Sequence, residues 1–339
     1  MKIRLAGALA LSVSLVTMGL ALASGPSSAA PLKSVTFAYD FPGPDFELIP
    51  VVVAQKEGFF AKAGLNVTVK FPPNTSTTSL MLSTGAADVG FVTTTDMGVA
   101  VDKKVPLLSI ANYSMSNNWA LFAKPGVALD AAHLKAQLKG KRIFSYGDTW
   151  TEAMLPFVLK HAGLSASQVK IVTDPTAIDL NYLLAGKVDI STSTTNYEIP
   201  GFEGAKVKGK LTQLLGSAVG APNIPIWDYA TTRSYASSHG ANLTAFMSAI
   251  AKATAWAVAR PTQAAALFDK TYPQSGYTNA YNLSGWKLTI PFLKNTAGKY
   301  FVETNAQWAT LSGALKSIGL IAKVPAPSSY FTNKFIPAS

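Results

Sequence analysis

Strand-like and helix-like segments alternate along this chain in two successive series, which span residues 34–112 and 134–215. Apolar residues at alternating positions or in short continuous runs predict strands, and apolar residues at helical spacing, often closed by glycine, predict helices. This alternation is typical of an α/β domain with a largely parallel sheet. The predicted strands are 34–39, 66–71, 88–92, 106–112, 142–146, 169–172 and 188–191, with a weaker candidate at 211–215, and the predicted helices are 48–62, 76–83, 96–102, 134–139, 151–162 and 178–185.

Beyond residue 226 the pattern predicts helices at 242–259, 261–270, 283–293 and 305–318, without a convincing strand. A helical tail of this kind must pack on one of the two α/β units. The simplest chain path leaves the first unit near residue 120 and returns near residue 225. We therefore expect lobe one (31–119 plus 226–339) and lobe two (120–225), joined by two crossing segments with a cleft between them.

The N-terminus has the pattern of a secretory signal peptide. Lys2 and Arg4 precede an uncharged run over residues 5–23, and small residues follow near Ala23 and Ala30. We predict a signal peptide over residues 1–30, cleaved after Ala23 or near Ala30. A retained membrane anchor is the alternative, which the glycines and hydroxyl residues within the run disfavour.

Composition narrows the location and the partners. The chain contains no cysteine, which excludes disulfides, thiolate metal sites, a cysteine nucleophile and a lipid-modified N-terminal cysteine. We therefore expect a periplasmic protein without a lipid anchor. The net charge is +11, but the basic residues are scattered, whereas nucleic-acid binding needs a concentrated patch. A solvated basic surface is favoured, and no nucleic-acid partner is expected.

Several motifs now resemble one known family. The run VAQKEGFFAKAGLNV at 53–67 is similar to A-x-x-x-G-[YF]-F-x-x-x-G-L-x-V, and LSTGAADVG at 82–90 is similar to L-x-x-G-x-x-D-x-G. Weaker matches follow at 138–143 and 184–189, and WAVARPTQAA at 256–265 is similar to W-x-x-x-N-P-x-E-A-A. In this order the motifs resemble periplasmic substrate-binding proteins of the nitrate/sulfonate/taurine and thiamine-precursor group of ABC importers.

The resemblance implies an α/β fold with two lobes (a type II periplasmic binding protein), two hinge crossings and the helical tail packed on lobe one. Such a protein closes its hinge on one small ligand, because the ligand contacts both lobes. It then docks on a permease in the inner membrane, which a cytoplasmic ATPase drives. The resemblance implies a monomer that uses no cofactor and no metal.

Ligands of open α/β sheets bind beyond the carboxyl ends of the strands, so the segments that follow the predicted strands are candidate ligand-binding loops. Thr93–Thr95 and Asp148 are alternatively helix caps, Trp119 and Trp227 are alternatively core residues, and Asp228 is alternatively a hinge partner. The candidate ligand-binding residues are Asp40, Phe41, Phe46, Thr93, Thr94, Thr95, Asn117, Trp119, Tyr146, Asp148, Thr149, Trp150, Asn196, Tyr197, Glu198, Trp227 and Asp228.

Aromatic side chains in these loops can sandwich a flat ring whose edge carboxylates or hydroxyls can fix. The loop DFPGPDF at 40–46 resembles the D-W-x-P-N-x-x-H loop of thiamine-pyrimidine binders, and Asn196-Tyr197-Glu198 resembles their N-x-E-G loop. By this resemblance Phe41 stacks on the ring and Glu198 hydrogen-bonds an aminopyrimidine. The loop departs from the pattern by Phe41 for Trp, Gly43 for Asn, Phe46 for His and a one-residue deletion.

Other ligands stay open. A flavin or another heteroaromatic fits the same features. An aliphatic sulfonate, taurine or nitrate fits helix N-termini and hydroxyls, but the loops lack an obvious arginine clamp.

An enzyme is the remote alternative. The three histidines, His133, His161 and His239, lie in a polar link or at predicted helix ends, and no G-x-S-x-G motif or metal-ligand spacing occurs. The sequence therefore predicts no catalytic residue.

Overall fold

The protein is described by a computed structural model, which covers residues 31–74, 77–175 and 178–338. The predicted signal peptide over residues 1–30 lies outside the described residues. No helix within them is long and apolar enough to span a membrane.

The described residues form ten strands and thirteen α-helices. The strands are β1 (Lys33–Ala38), β2 (Leu65–Lys70), β3 (Val89–Thr93), β4 (Leu107–Asn112), β5 (Trp119–Ala123), β6 (Arg142–Ser145), β7 (Lys170–Thr173), β8 (Ser191–Thr194), β9 (Thr212–Leu215) and β10 (Trp227–Thr232). The helices are α1 (Ile49–Lys56), α2 (Phe59–Lys62), α3 (Thr77–Ser83), α4 (Thr94–Asp102), α5 (Leu134–Leu138), α6 (Thr149–His161), α7 (Asp179–Leu184), α8 (Thr195–Gly204), α9 (Arg233–Ser238), α10 (Gly240–Ala259), α11 (Pro261–Thr271), α12 (Asn279–Thr289) and α13 (Asn305–Ser317).

A five-stranded sheet, the first sheet, has the order β2-β1-β3-β10-β4. β1 pairs in parallel with β2 and β3, whereas β10 runs antiparallel to β3 and β4. The expectation of a largely parallel sheet is therefore corrected to a mixed sheet. The reason is that β10 follows the return of the chain and inserts between two earlier strands from the opposite direction.

The second sheet is also mixed. β8, β5 and β9 form an antiparallel group, β6 and β7 form a parallel pair, and a bridge between Ile143 and Ile190 joins the two. Phe122, Phe144 and Phe202 are buried in a core of this part of the chain. The predicted strand 188–191 is displaced, because β8 begins only at Ser191.

Two crossing segments connect the two sheets, and the segments lie side by side. The Asn117 side-chain amide donates to the carbonyl of Pro222 at 2.9 Å, and its backbone N–H donates to Asn223 Oδ1 at 3.0 Å. The Ser114 hydroxyl oxygen accepts a hydrogen bond from the Ile226 amide at 3.0 Å. These bonds hold the outgoing and the returning chain segments together between the two sheets.

The C-terminal helices pack mainly on the first sheet. Phe246 of α10 stacks on Phe37 of β1 with ring centroids 5.9 Å apart. The Trp286 indole N–H of α12 donates to the Ala257 carbonyl of α10 at 3.1 Å. α12 also reaches the second sheet's helix α8, where the Ser284 hydroxyl donates to Glu203 at 3.2 Å. The C-terminal helices thus cover the first sheet and extend to its boundary with the second sheet.

The predicted helix 48–62 is divided into α1 and α2 by Gly58, whose φ is +71°. A side chain at this φ is strained even where space is available. We expect Gly58→Ala to lower the free energy of unfolding by ~1 kcal/mol. Urea unfolding measures the change, and Gly43→Ala is the control, since Gly43 has no positive φ and nothing within 4 Å of an added Cβ. Equal effects of the two substitutions would contradict the conformational explanation.

Candidate functional site

The loop after β1 places a pair of carboxyl groups at the boundary between the two sheets. Asp45 caps a 3-10 turn over Phe46–Leu48, and its Oδ1 accepts the Glu47 amide at 2.9 Å and the Tyr39 hydroxyl at 2.5 Å. The turn is therefore fixed from both sides. As a result, Phe46 and Glu47 are buried although they lie in a loop of high proline and glycine content.

Glu47 joins the two sheets. Its Oε1 accepts the Asn196 side-chain amide of α8 at 2.9 Å, and its backbone carbonyl accepts the Tyr113 hydroxyl at 3.2 Å. Burial and then the charge of Asp45 raise the pKa of Glu47 to about 8, and burial raises the pKa of Asp45 to about 6. Sequence reasoning missed both acids, although an Asp at the start of a short helical turn is a recognisable cap signal.

Aromatic rings from three parts of the chain meet beside this loop. The Phe41 ring lies 5.4 Å from the Trp227 ring and 6.0 Å from the Tyr197 ring, and the Phe46 ring lies 4.6 Å from Tyr197. Phe41 and Phe46 follow β1, Trp227 begins β10, and Tyr197 lies in the first turn of α8. The structure thus brings together four of the predicted aromatic residues.

A second contact between the sheets is made of hydroxyls. The Thr149 hydroxyl lies 2.9 Å from the Thr95 hydroxyl and donates to Asp96 Oδ1 at 2.8 Å. Thr93 is the N-cap of α4, because its hydroxyl oxygen accepts a hydrogen bond from the Asp96 amide at 3.0 Å. Its geometry is therefore that of a helix cap. α4 and α6 therefore point their N-termini at the same place.

Asp148 is the N-cap of α6 and accepts the Thr151 amide at 2.7 Å. Its other oxygen, Oδ2, has no hydrogen-bond partner among the described residues, and neither does the buried indole nitrogen of Trp150. Burial raises the pKa of Asp148. Capping thus uses one oxygen of Asp148 and leaves the other for a further contact.

Glu198 lies in the first turn of α8, where the sequence predicted a loop. It is 3% exposed, and its Oε2 has no hydrogen-bond partner among the described residues. Burial and then the neighbouring Asp179 raise the pKa of Glu198 well above its ordinary value. Asp179 itself accepts the Tyr146 hydroxyl at 2.6 Å and the Ser191 hydroxyl.

Two stacked tyrosines are affected by the charges of these acidic groups. The rings of Tyr277 and Tyr281, which flank the start of α12, lie 4.5 Å apart and nearly parallel. Burial raises the pKa of Tyr277 to about 12, with further contributions from Asp45, Asp179 and Glu198. Acids of both sheets thus act electrostatically on one pair of rings, which sequence reasoning missed because α12 is distant in the chain.

Four other predicted residues lie at the crossing segments or in buried strands. The Thr94 hydroxyl donates to the Pro225 carbonyl at 2.8 Å, and Asn117 ties the crossing segments together. Trp119 lies in β5, so close to Gly216 that a Cβ there would be 2.5 Å from its ring. Asp228 is fully buried in β10, where its charge acts on Glu303. Asp40 is buried beside Phe41.

Comparison with known proteins gives matches over most of the chain. The sequence model of the family described as "NMT1/THI5 like" matches residues 45–264. A Haemophilus influenzae protein whose given name assigns it to thiamine biosynthesis is 26% identical over 287 residues, covering 83% of this chain and 86% of the relative.

Solved structures show the fold. The aliphatic sulphonate binding protein SsuA of Escherichia coli has a TM-score of 0.65 at 17% identity, covering 88% of this chain and 91% of its own. The SsuA of Xanthomonas axonopodis pv. citri, bound to MOPS, has a TM-score of 0.65 at 17% identity, covering 90% and 99%. The nitrate-binding protein NrtA of Synechocystis has a TM-score of 0.54 at 16% identity, covering 70% and 66%. The chain thus has the fold of these periplasmic binding proteins.

Proposed function

The chain belongs to the NMT1/THI5-like family, and from this premise we propose that it is the extracytoplasmic solute-binding component of an ABC import system. The two sheets are its two lobes, and the paired crossing segments are its hinge. A small ligand that contacts both lobes favours the closed arrangement, because only that arrangement makes both sets of contacts. The closed, monomeric protein delivers the ligand in the periplasm to a permease that a cytoplasmic ATPase drives.

We propose that the ligand is a flat nitrogen heteroaromatic, such as an aminopyrimidine thiamine precursor. The carrying observation is the combination of the aromatic group around Phe41 with buried carboxyls on both sheets. Ring faces stack on flat ligands, and carboxyl oxygens accept hydrogen bonds from amino groups. All buried charged side chains of the described residues are acids, namely Asp40, Asp45, Glu47, Asp96, Asp179, Glu198, Asp228 and Glu303.

A sulfonate, taurine or nitrate is the second candidate ligand. It is favoured by the hydroxyls of Thr93, Thr95 and Thr149, which lie where the N-termini of α4 and α6 meet, since helix N-termini bind anions. The carboxylate of Asp96 occupies the same place and accepts the Thr149 hydroxyl. An anion there would face a like charge, so the heteroaromatic ligand is the better fit.

Thermal unfolding with a ligand panel separates the two candidates. A ligand that binds only the folded protein raises the melting temperature by mass action. We expect a flat nitrogen heteroaromatic of the panel, foremost a 4-aminopyrimidine, to raise it, and taurine, alkanesulfonates and nitrate to leave it unchanged. A shift by sulfonates alone contradicts the heteroaromatic ligand. Chromatography of the incubated ligand tests the further proposal that the protein is not an enzyme, since consumption of the ligand would contradict it.

Phe41→Ala tests the stacking role. Loss of one ring from an aromatic contact costs ~0.5–1.5 kcal/mol beyond the buried area, so we expect the affinity for a 4-aminopyrimidine to fall about threefold to tenfold. Isothermal titration calorimetry measures the change. Phe41→Tyr is the matched control because it keeps the ring, and an equal loss in both variants would argue against stacking.

A further inference from the structure

One side chain makes three hydrogen bonds at the boundary between the two sheets. Asn196 of α8 is 1% exposed, and its Nδ2 donates to Glu47 Oε1 at 2.9 Å and to Thr289 Oγ1 of α12 at 3.0 Å. Its Oδ1 accepts the Asn118 side-chain amide, in the outgoing crossing segment, at 2.8 Å. Separation of the lobes would break the bonds to Glu47 and Thr289, which belong to the first sheet and its helical cover.

Glu47 meets Asn196 with a single oxygen. Its second oxygen, Oε2, is buried and has no hydrogen-bond partner among the described residues. A carboxylate in this position is removed from water and lies beside the charge of Asp45, and these two effects outweigh the contributions of Asn196 and Tyr197, which favour the charged form. The closed arrangement therefore accommodates Glu47 as a neutral carboxylic acid.

The groups that face Glu47 do not supply a compensating positive charge. One is the acid that caps its own turn. The others are phenols that follow β1, follow β4, lie in β10 and lie in α8, and the two stacked phenols at the start of α12 feel the charge of the neighbouring acid. In order, these groups are Asp45, Tyr39, Tyr113, Tyr229, Tyr197, Tyr277 and Tyr281. Asp45 disfavours an ionised Glu47 through its own charge, whereas the Tyr197 hydroxyl favours the ionised form; burial and the charge of Asp45 outweigh it, so the pKa of Glu47 is raised.

We propose that the Glu47–Asn196 contact is a proton-dependent latch, in which lobe closure takes up one proton on the Glu47 carboxyl. The proposal deepens the proposed function by naming its regulation, and it rests on that function only for the movement of the two lobes. Opening removes Asn196 from Glu47 and admits water, so the carboxyl then ionises at the pH of an exposed glutamate. Acidification consequently favours closure, and alkalinity favours opening, with or without a ligand.

The direction and the range of the effect follow from the two states. The pKa of Glu47 is raised to about 8 in the closed protein, whereas an exposed glutamate has a pKa of about 4.3. A raised pKa stabilises the closed state at low pH, and this stabilisation is lost as the pH rises toward 8. Between pH values of about 4.3 and about 8, the ratio of closed to open protein should fall by up to about tenfold for each pH unit. Asp45 contributes less, because Tyr39 and the Glu47 amide bind it within the first lobe in either state.

Spin labels can measure lobe separation without a ligand. The chain has no cysteine, so Leu80→Cys in α3 and Val207→Cys after α8 introduce two unique labelling sites that are 61% and 39% exposed. Double electron–electron resonance then gives the distance between the labels at pH 5, 7 and 9. We expect a single closed-state distance at pH 5 and a growing open-state population toward pH 9.

Three variants identify the group that titrates. Glu47→Gln keeps an acceptor for Asn196 and is neutral at every pH, so we expect the closed distance at both pH 5 and pH 9. Asn196→Ala removes the contact, so the open population should rise already at pH 5. Glu57→Gln, at the end of α1 and outside the latch, should keep the wild-type response.

Two results would overturn the latch: equal wild-type distances at pH 5 and pH 9, or an unchanged pH response in Glu47→Gln. Thermal melts of each variant at pH 5 establish that it is folded. Because no ligand is present, failure of the latch is distinguishable from failure of the proposed function, which the ligand panel tests.

Discussion

Replacing Glu198 by alanine should reduce the affinity for a 4-aminopyrimidine by about tenfold to a hundredfold. The Glu198 carboxyl is buried in the first turn of α8, and its Oε2 has no partner among the described residues. Leaving the amino group of the ligand buried without this partner costs up to ~3 kcal/mol, which corresponds to a loss of affinity of up to about a hundredfold. Isothermal titration calorimetry at pH 7 provides the measurement.

Glu198→Gln is the matched control for this prediction. It keeps the shape of the side chain but replaces one acceptor oxygen with a donor, so an amino group of the ligand loses part of its contact. We expect its affinity to fall while its melting temperature equals or exceeds that of the wild type, because an ionisable group next to Asp179 is removed. Wild-type affinity in both variants would remove Glu198 from the site.

Replacing Trp286 by alanine should lower the free energy of unfolding by ~3–5 kcal/mol. Trp286 is fully buried on α12, and its indole N–H donates to the Ala257 carbonyl at 3.1 Å. The substitution therefore leaves a large cavity and one carbonyl without its donor. Since α12 also carries Thr289, which accepts a hydrogen bond from Asn196, loosening it disturbs the boundary between the sheets.

Chemical unfolding in urea measures this effect, and Trp286→Phe separates its two causes. Phenylalanine fills most of the volume but lacks the N–H group, so we expect a smaller loss that reflects the hydrogen bond and the remaining gap. A loss below about 1 kcal/mol for Trp286→Ala would contradict the role of α12 as a firmly packed element.

The alternation of strands and helices predicted β1 to β4 and most of the helices because local patterns determine those elements. β1, for example, buries Val35 and Phe37 at alternating positions against α10. β10 and β5 were not predicted, since their pairing joins residues more than a hundred positions apart or completes an antiparallel sheet. Local periodicity does not specify a partner at such a distance.

The candidate site shows the same division. The rule for strand ends selected Phe41 and Tyr197, whose rings lie near each other, and Thr149, which makes a separate contact with Thr95. It could not identify Glu47, because the pairing of Glu47 with Asn196 depends on the arrangement of both sheets. It also placed residues 196–198 in a loop, whereas they form the first turn of α8, in spite of Pro200 within that helix.

The central claim is that one amino heterocycle is held between the two sheets. Hydrogen–deuterium exchange of the purified protein, with and without a 4-aminopyrimidine, tests it most directly because exchange reports on each segment separately. We predict that the ligand slows exchange in four segments at the same time. Residues 40–48 and 93–97 lie at strand ends of the first sheet, and residues 148–152 and 195–199 lie at strand ends of the second sheet. Protection confined to one sheet's loops, or none at all, would contradict capture between the lobes.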